Sequence, residues 1–262
     1  WLGLSLAEFI MPVLIVFLLT FIEWRDIWVS ISILVILVLP VATFVLVKEV
    51  KLDTREDSKT EETNKEIKQW ERIEVLKDYR FYIICMTMLA MPWIATGSFV
   101  YQSFISSSKE WGPYVIAQSF MAYSILSVIT LFISGFLIDK FTSRKLLIYM
   151  NIPLFFATAV LYYFDSPFSS FVFFGLLGVT NGLANVWSST WAEIYGVKFI
   201  GSIKALTAAL MVFATAFGTA LFGVLIDIGL TIENIAVVSG VYIFSSIILL
   251  YLVKNKLNPQ YI

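Results

Sequence analysis

The sequence predicts an all-α, polytopic transmembrane helical bundle of about eight spans. Three observations carry that prediction. Hydrophobic residues fill 59% of the 262 positions and charged residues only 14%, with a mean hydropathy of +0.86, far from an ordinary soluble domain. The charges are segregated, 19 of the 37 falling between Lys48 and Arg80. The apolar runs have the length, about 20 residues, that a helix needs to cross hydrocarbon, and none shows the short alternation of barrel strands.

The spans fall near 2–22, 27–47, 81–104, 113–138, 146–164, 170–195, 205–228 and 235–253. The first carries Glu8 about a third of the way along, an ionisable group in hydrocarbon that can titrate and couple protons to transport. After the second comes the charged segment 48–80, dividing the chain into two spans and six. Asp53 to Lys68 reads as a solvated linker, whereas Ile67, Trp70, Ile73, Leu76 and Tyr79 recur every three residues and suit a helix lying on the membrane surface. Span 81–104 contains Pro92, which removes a backbone hydrogen bond and allows a kink. On it Thr87, Ser98, Tyr101 and Gln102 share a face toward the outer half, as solute contacts or as an end cap. Gln118, Tyr123 and Ser127 add polar groups to the next span.

Span 170–195 is the most informative. At about 100° per residue, Gly178, Asn181, Gly182, Asn185, Ser188 and Ser189 fall within an arc of about 120°, with Trp187 and Trp191 on another side. Polar groups in a span face a cavity or a neighbouring helix, and small residues let backbones approach. Asn181 and Asn185 therefore either contact solute or bond to a neighbour. Glu193, near the end of that span, is a second candidate for proton coupling, with pairing to Lys198 or Lys204 as the alternative. Span 205–228 is rich in alanine and glycine, which suits a helix that packs closely or slides.

Alternate connectors split the 18 Lys and Arg residues into sixteen and two, Arg25 and Lys109 being the two. The richer side is expected to be cytoplasmic, with both ends inside. A net charge of −1 disfavours a nucleic-acid partner. The chain has no histidine and one cysteine, Cys85, so it offers neither a common metal ligand nor an internal disulfide. There is no phosphate-binding glycine loop and no paired-Asp, Ser–His or metal-ligand constellation. The expectation is no cofactor, no metal and no catalysis. The opening on Trp1, without a signal-peptide pattern, reads as part of a longer protein.

Gly135-Phe136-Leu137-Ile138-Asp139-Lys140-Phe141-Thr142-Ser143-Arg144-Lys145 forms a tight turn between the fourth and fifth spans. It resembles the loop motif of the major facilitator superfamily: Gly, x, Leu, x, Asp, Arg or Lys, x, Gly, then basic residues. Thr142 stands where that pattern has glycine. The resemblance assigns Gly135, Asp139, Lys140 and Arg144 to conformational gating, Asp139 facing the N-terminus of the helix that begins near Gly3 to Ser5. Trp70 to Gln102 and Trp191-Ala192-Glu193-Ile194-Tyr195-Gly196 through Leu206 are similar to bacterial carriers of the monocarboxylate and oxalate–formate branch. Span 113–138 has no Arg to match the Asp–Arg pair of animal monocarboxylate carriers.

The family implies two six-helix halves joined by a long cytoplasmic loop. Residues 1–47 would then end the first half, 48–80 be the loop and 81–262 the second half, as helices five to twelve. It also implies a secondary transporter of a small organic solute, a carboxylate by resemblance, working by alternating access as a symporter or antiporter with a proton or counter-ion. The expected setting is a monomer in a bacterial inner membrane. Asn181, Asn185, Ser188, Tyr101, Gln102 and Ser98 are the candidate substrate contacts. The competing class is a non-transporting membrane receptor on the same bundle, separable by solute uptake.

Overall fold

The computed structural model describes residues 2–47 and 68–260, and every regular element among them is a helix. In chain order these are α1 (Leu2–Leu18), α2 (Trp24–Val47), α3 (Arg72–Lys77), α4 (Tyr79–Val100), α5 (Gln102–Ser108), α6 (Pro113–Phe141), α7 (Ser143–Leu146), α8 (Ile152–Tyr163), α9 (Pro167–Gly182), α10 (Ala184–Tyr195), α11 (Ile200–Asp227) and α12 (Ile232–Val253). Single 3₁₀ turns follow α7 at Leu147–Tyr149 and α12 at Lys254–Lys256. Seven of these stretches are long and apolar enough to span a membrane, and α1, at 17 residues, is the shorter eighth.

Local chemistry sets the ends. Proline opens α6, and proline lies in the first turn of α8 and α9, where its missing N–H costs no helical hydrogen bond. Asp78 caps α4 by accepting from the Arg80 amide at 3.0 Å. Pro92 does not break α4, which runs continuously from Tyr79 to Val100; the interruption comes at Tyr101, before α5. The other interruption is at Leu183, which divides the expected single span 170–195 into α9 and α10. Neither α2 nor α3 packs extensively on the rest. Of the expected surface helix only Arg72–Lys77 is helical, with Ile73, Leu76 and Tyr79 exposed and Trp70 buried. Ile67 and nearly all of the linker from Asp53 lie outside the described residues.

The most extensive interface joins α6 to α9, followed by α4 with α11 and α1 with α6. Glycine makes the first two possible. A Cβ on Gly178 or Gly182 would collide with the Tyr123 or Ser127 carbonyl of α6, and one on Gly218 with the Trp93 carbonyl of α4. Such small-residue contacts are how helices associate where lipid removes the hydrophobic drive.

Two buried clusters lie one above the other. One, around Trp93, Phe173, Phe174 and Phe222, occupies the middle and the end that carries Lys109. The other, around Phe81, Leu147, Trp191 and Tyr195, occupies the end that carries most of the Lys and Arg. At the first end Lys109, almost wholly buried, bridges Asp165 at 2.5 Å and Glu233 at 2.7 Å. Burial pulls the Lys109 pKa down, but the two carboxylates outweigh it and hold the ammonium above the ordinary lysine value. At the basic end Arg80 pairs with Asp78 at 2.8 Å and donates to the Lys256 and Asn258 carbonyls, while Tyr195 donates to Asp78 at 3.1 Å.

Candidate functional site

The polar arc of α9 and α10 builds a cavity. Gly178 and Gly182 press α9 against α6, and this brings the Asn181 amide within 2.9 Å of the Ser127 hydroxyl, to which it donates. Two residues later the chain breaks at Leu183, and α10 packs on α7 and on both α6 and α11. The gap holds about 230 Å³, lined by Asn181, Asn185, Trp187, Ser188 and Trp191, by Lys204, Thr207 and Met211 of α11, and by Ser5 of α1. A water needs only about 10–15 Å³, so the space suits a small organic molecule.

The lining is rich in donors. Lys204 is its one charged residue, and no carboxylate takes part. The Trp187 indole N–H is buried without a partner among the described residues, and Asn185 and Ser188 have side chains free of hydrogen bonds there. Trp187, Trp191 and Met211 supply an apolar wall. An ammonium with unpaired N–H and O–H groups, beside aromatic surface, is the chemistry that holds an amphipathic anion.

The candidate substrate contacts are not all brought together. Asn181, Asn185 and Ser188 share this cavity. Gln102 lines a different one of about 650 Å³, with Ser103, Ser106 and Ser107 of α5 facing Met11, Pro12 and Ile15 of α1. Ser98 is buried and donates to the Ile94 carbonyl at 2.8 Å, and the Tyr101 ring stacks on Phe222; neither side chain lines either cavity. Thr87 is likewise turned inward, bonded to the Ile83 carbonyl.

Both cavities open along the seam between α1 and α6, from opposite ends of the bundle. Glu8 lies between them, one helical turn after Ser5 of the first and one turn before Met11 and Pro12 of the second. It is half-buried, and Tyr123 of α6 lies within electrostatic reach of it across the seam.

The turn after α6 has a different partner from the one expected. Glu193 on α10 accepts from the Ser143 amide at 2.8 Å and the Arg144 amide at 3.2 Å, and Arg144 Nε stands 3.9 Å from it. Its partner is thus the turn itself, not Lys198 or Lys204. Thr142 sits at φ 68° and ψ 144°, in a region that favours glycine. Gly135 has open space beside it, Lys140 lies over the Phe141 ring at 5.3 Å, and exposed Asp139 makes no hydrogen bond or ion pair with the α1 N-terminus or anything else among the described residues.

A sequence pattern shared by known transporters settles the family. That of the Major Facilitator Superfamily matches residues 2–193, well over half of the chain. The chain belongs to the major facilitator superfamily. It is therefore a membrane transporter in general terms, set in a lipid bilayer and built to bind small-molecule solutes. No curated protein matches it. For a major facilitator chain the unforeseen site residue is Lys204, which the sequence presents as one more basic residue at a helix end. Its only signal is its place in the first turns of α11, where the 100° spacing aligns it with Thr207, Ala208 and Met211.

Proposed function

We propose that this transporter moves a small organic anion, a carboxylate with an apolar side, by alternating access between the two cavities on the α1/α6 seam. The donor-rich lining with Lys204 and no carboxylate carries the assignment. Lys204 supplies the countercharge, Asn181, Asn185, Ser188 and Trp187 supply hydrogen bonds, and the Trp187, Trp191 and Met211 surface takes the apolar part. Of the first two spans, α1 contributes Ser5 to the described lining.

Glu8, placed between the cavities, is the proton-coupling group of this scheme, which makes the transporter a proton symporter. The turn 142–145 with Glu193 is its gating contact, and residues 81–262 act as one six-helix half joined through 48–80 to the half that 1–47 ends. The end rich in Lys and Arg faces the cytoplasm of a bacterial cell.

Uptake of labelled organic acids into proteoliposomes carrying the full-length protein, with and without an imposed proton gradient, tests this. Saturable, gradient-driven uptake is expected. It should be lost in Lys204→Gln and Asn185→Ala and survive in Lys204→Arg. Uptake of neutral or cationic solutes in preference to acids would overturn the anion assignment, and no uptake of any solute from folded protein would favour a receptor.

A further inference from the structure

A second polar cleft, of about 440 Å³, opens at the basic end between the α3–α4 junction and the chain after α12. Its charges do not cancel. Glu74 is held by Lys68 at 2.9 Å, and Asp78 by Arg80 at 2.8 Å. Arg80 is otherwise spent on two carbonyls of the C-terminal segment. Lys77 and Lys256, which also line the cleft, are exposed and have no ion pair among the described residues. Among the described lining residues the cations Lys77, Arg80 and Lys256 therefore outnumber the carboxylates Glu74 and Asp78. Trp70 completes the wall, and its buried indole N–H has no acceptor among the described residues.

Tyr79 forms an exposed, largely apolar part of the cleft's rim, and Ile73, Leu76, Tyr82, Tyr251 and Leu252, close to the lining residues in sequence, are exposed as well. Exposed tyrosine and leucine at the end of a spanning helix mark the level where head groups meet acyl chains. A free anion in water has no use for such a rim; a lipid has, because its phosphate and its chains are satisfied together.

We propose that this cleft binds an anionic phospholipid, its phosphate between Lys77 and Lys256 and its chains along the exposed Leu76, Tyr79 and Leu252 surface. The site is separate from the solute cavity and rests on the orientation proposed above, not on the solute. It ties the start of α4, the end of α12 and the segment after α12 to the leaflet, at the same place where Arg80 ties them to one another.

Native mass spectrometry of the purified full-length protein with phosphatidylglycerol or phosphatidylcholine tests the site without any solute, so its result is independent of uptake. Retention of phosphatidylglycerol over phosphatidylcholine is expected, with affinity falling about thirtyfold in the Lys77→Gln/Lys256→Gln variant, since each lysine near an anionic surface contributes about a fivefold factor. Lys145→Gln/Lys198→Gln removes the same charge at the same end, outside the cleft, and should retain the lipid. Equal losses in the two double variants would reduce the effect to diffuse charge and overturn the site. Competition by millimolar inorganic phosphate as effective as that by the lipid would overturn the lipid assignment.

Discussion

Replacing Thr142 with glycine should stabilise the protein. Thr142 caps α6 at φ 68° and ψ 144°, where a β-branched residue carries about 1–3 kcal/mol of backbone strain. Its hydroxyl is buried with no partner among the described residues, at a further cost of about 1–3 kcal/mol. Against these stands the larger chain entropy of unfolded glycine, about 0.5–1 kcal/mol. The backbone difference alone leaves a gain of about 0–2.5 kcal/mol, which corresponds to a rise of about 0–10 °C in the midpoint for a chain of this size. Loss of the hydroxyl moves it toward the upper end. Thermal unfolding in one detergent, followed by circular dichroism, measures the shift, and Thr142→Ala separates the two causes because it removes the hydroxyl but keeps a Cβ at positive φ. The expected order of midpoints is Gly above Ala above Thr. An unchanged or lower midpoint for Thr142→Gly would refute the assignment of strain to this turn.

Three further outcomes are expected. Gly178→Ala puts a Cβ onto the Tyr123 carbonyl of α6, which as backbone cannot step aside, so stability should fall by about 1–3 kcal/mol and uptake with it, whereas Gly201→Ala, with open space around it, should be silent in the same unfolding assay. Lys109→Met should cost about 1–3 kcal/mol, less than a fully buried pair, because Asp165 is 76% exposed and regains water. The Lys109 pKa is raised on folding, so this contribution is whole below the unfolded value, about 10.4, and is lost as pH rises through the higher folded value; a midpoint that changed through Lys109 between about pH 6 and 9, below that titration, would contradict it. Glu193→Gln replaces one of the two carboxylate oxygens with an N–H donor, so one of the Ser143 and Arg144 amides loses its acceptor, and hydrogen exchange should show at least one of them losing protection while α9 keeps its own.

Much of this was legible from periodicity. The spans follow from hydropathy, and the grouping of Asn181, Asn185 and Ser188 follows from 100° per residue because that geometry is local. What lay outside was the direction each face points. Trp187 and Trp191 fall on another side of an ideal helix, yet they line the same cavity, because α10 closes on α11 and the lining extends around the helix. The break at Leu183 had a signal in Asn181-Gly182, a turn dipeptide that lies inside an otherwise helical pattern. Pro92 allows a kink, and α4 runs through it without ending. Ser98 and Tyr101 share a face with Gln102 only on an unbroken helix; the turn at Tyr101 sends Gln102 to its own cavity.

The separation of α10 from α9 matters for how a bound solute can reach the rest of the molecule. α10 has 12 residues. Near its first turn Asn185 and Ser188 meet the cavity; at its last turn Glu193 holds the 143–144 amides, and Tyr195 holds Asp78 and accepts from the Trp70 amide at its carbonyl. A helix continuous with α9 would be fixed to α6 through Gly178 and Gly182 and would have no freedom to respond. Cut at Leu183, α10 is a short link with the cavity at one end and, at the other, both the turn after α6 and the approach to α4. Energetic coupling needs an element that two sites both bias, and α10 touches the cavity and both of those connections.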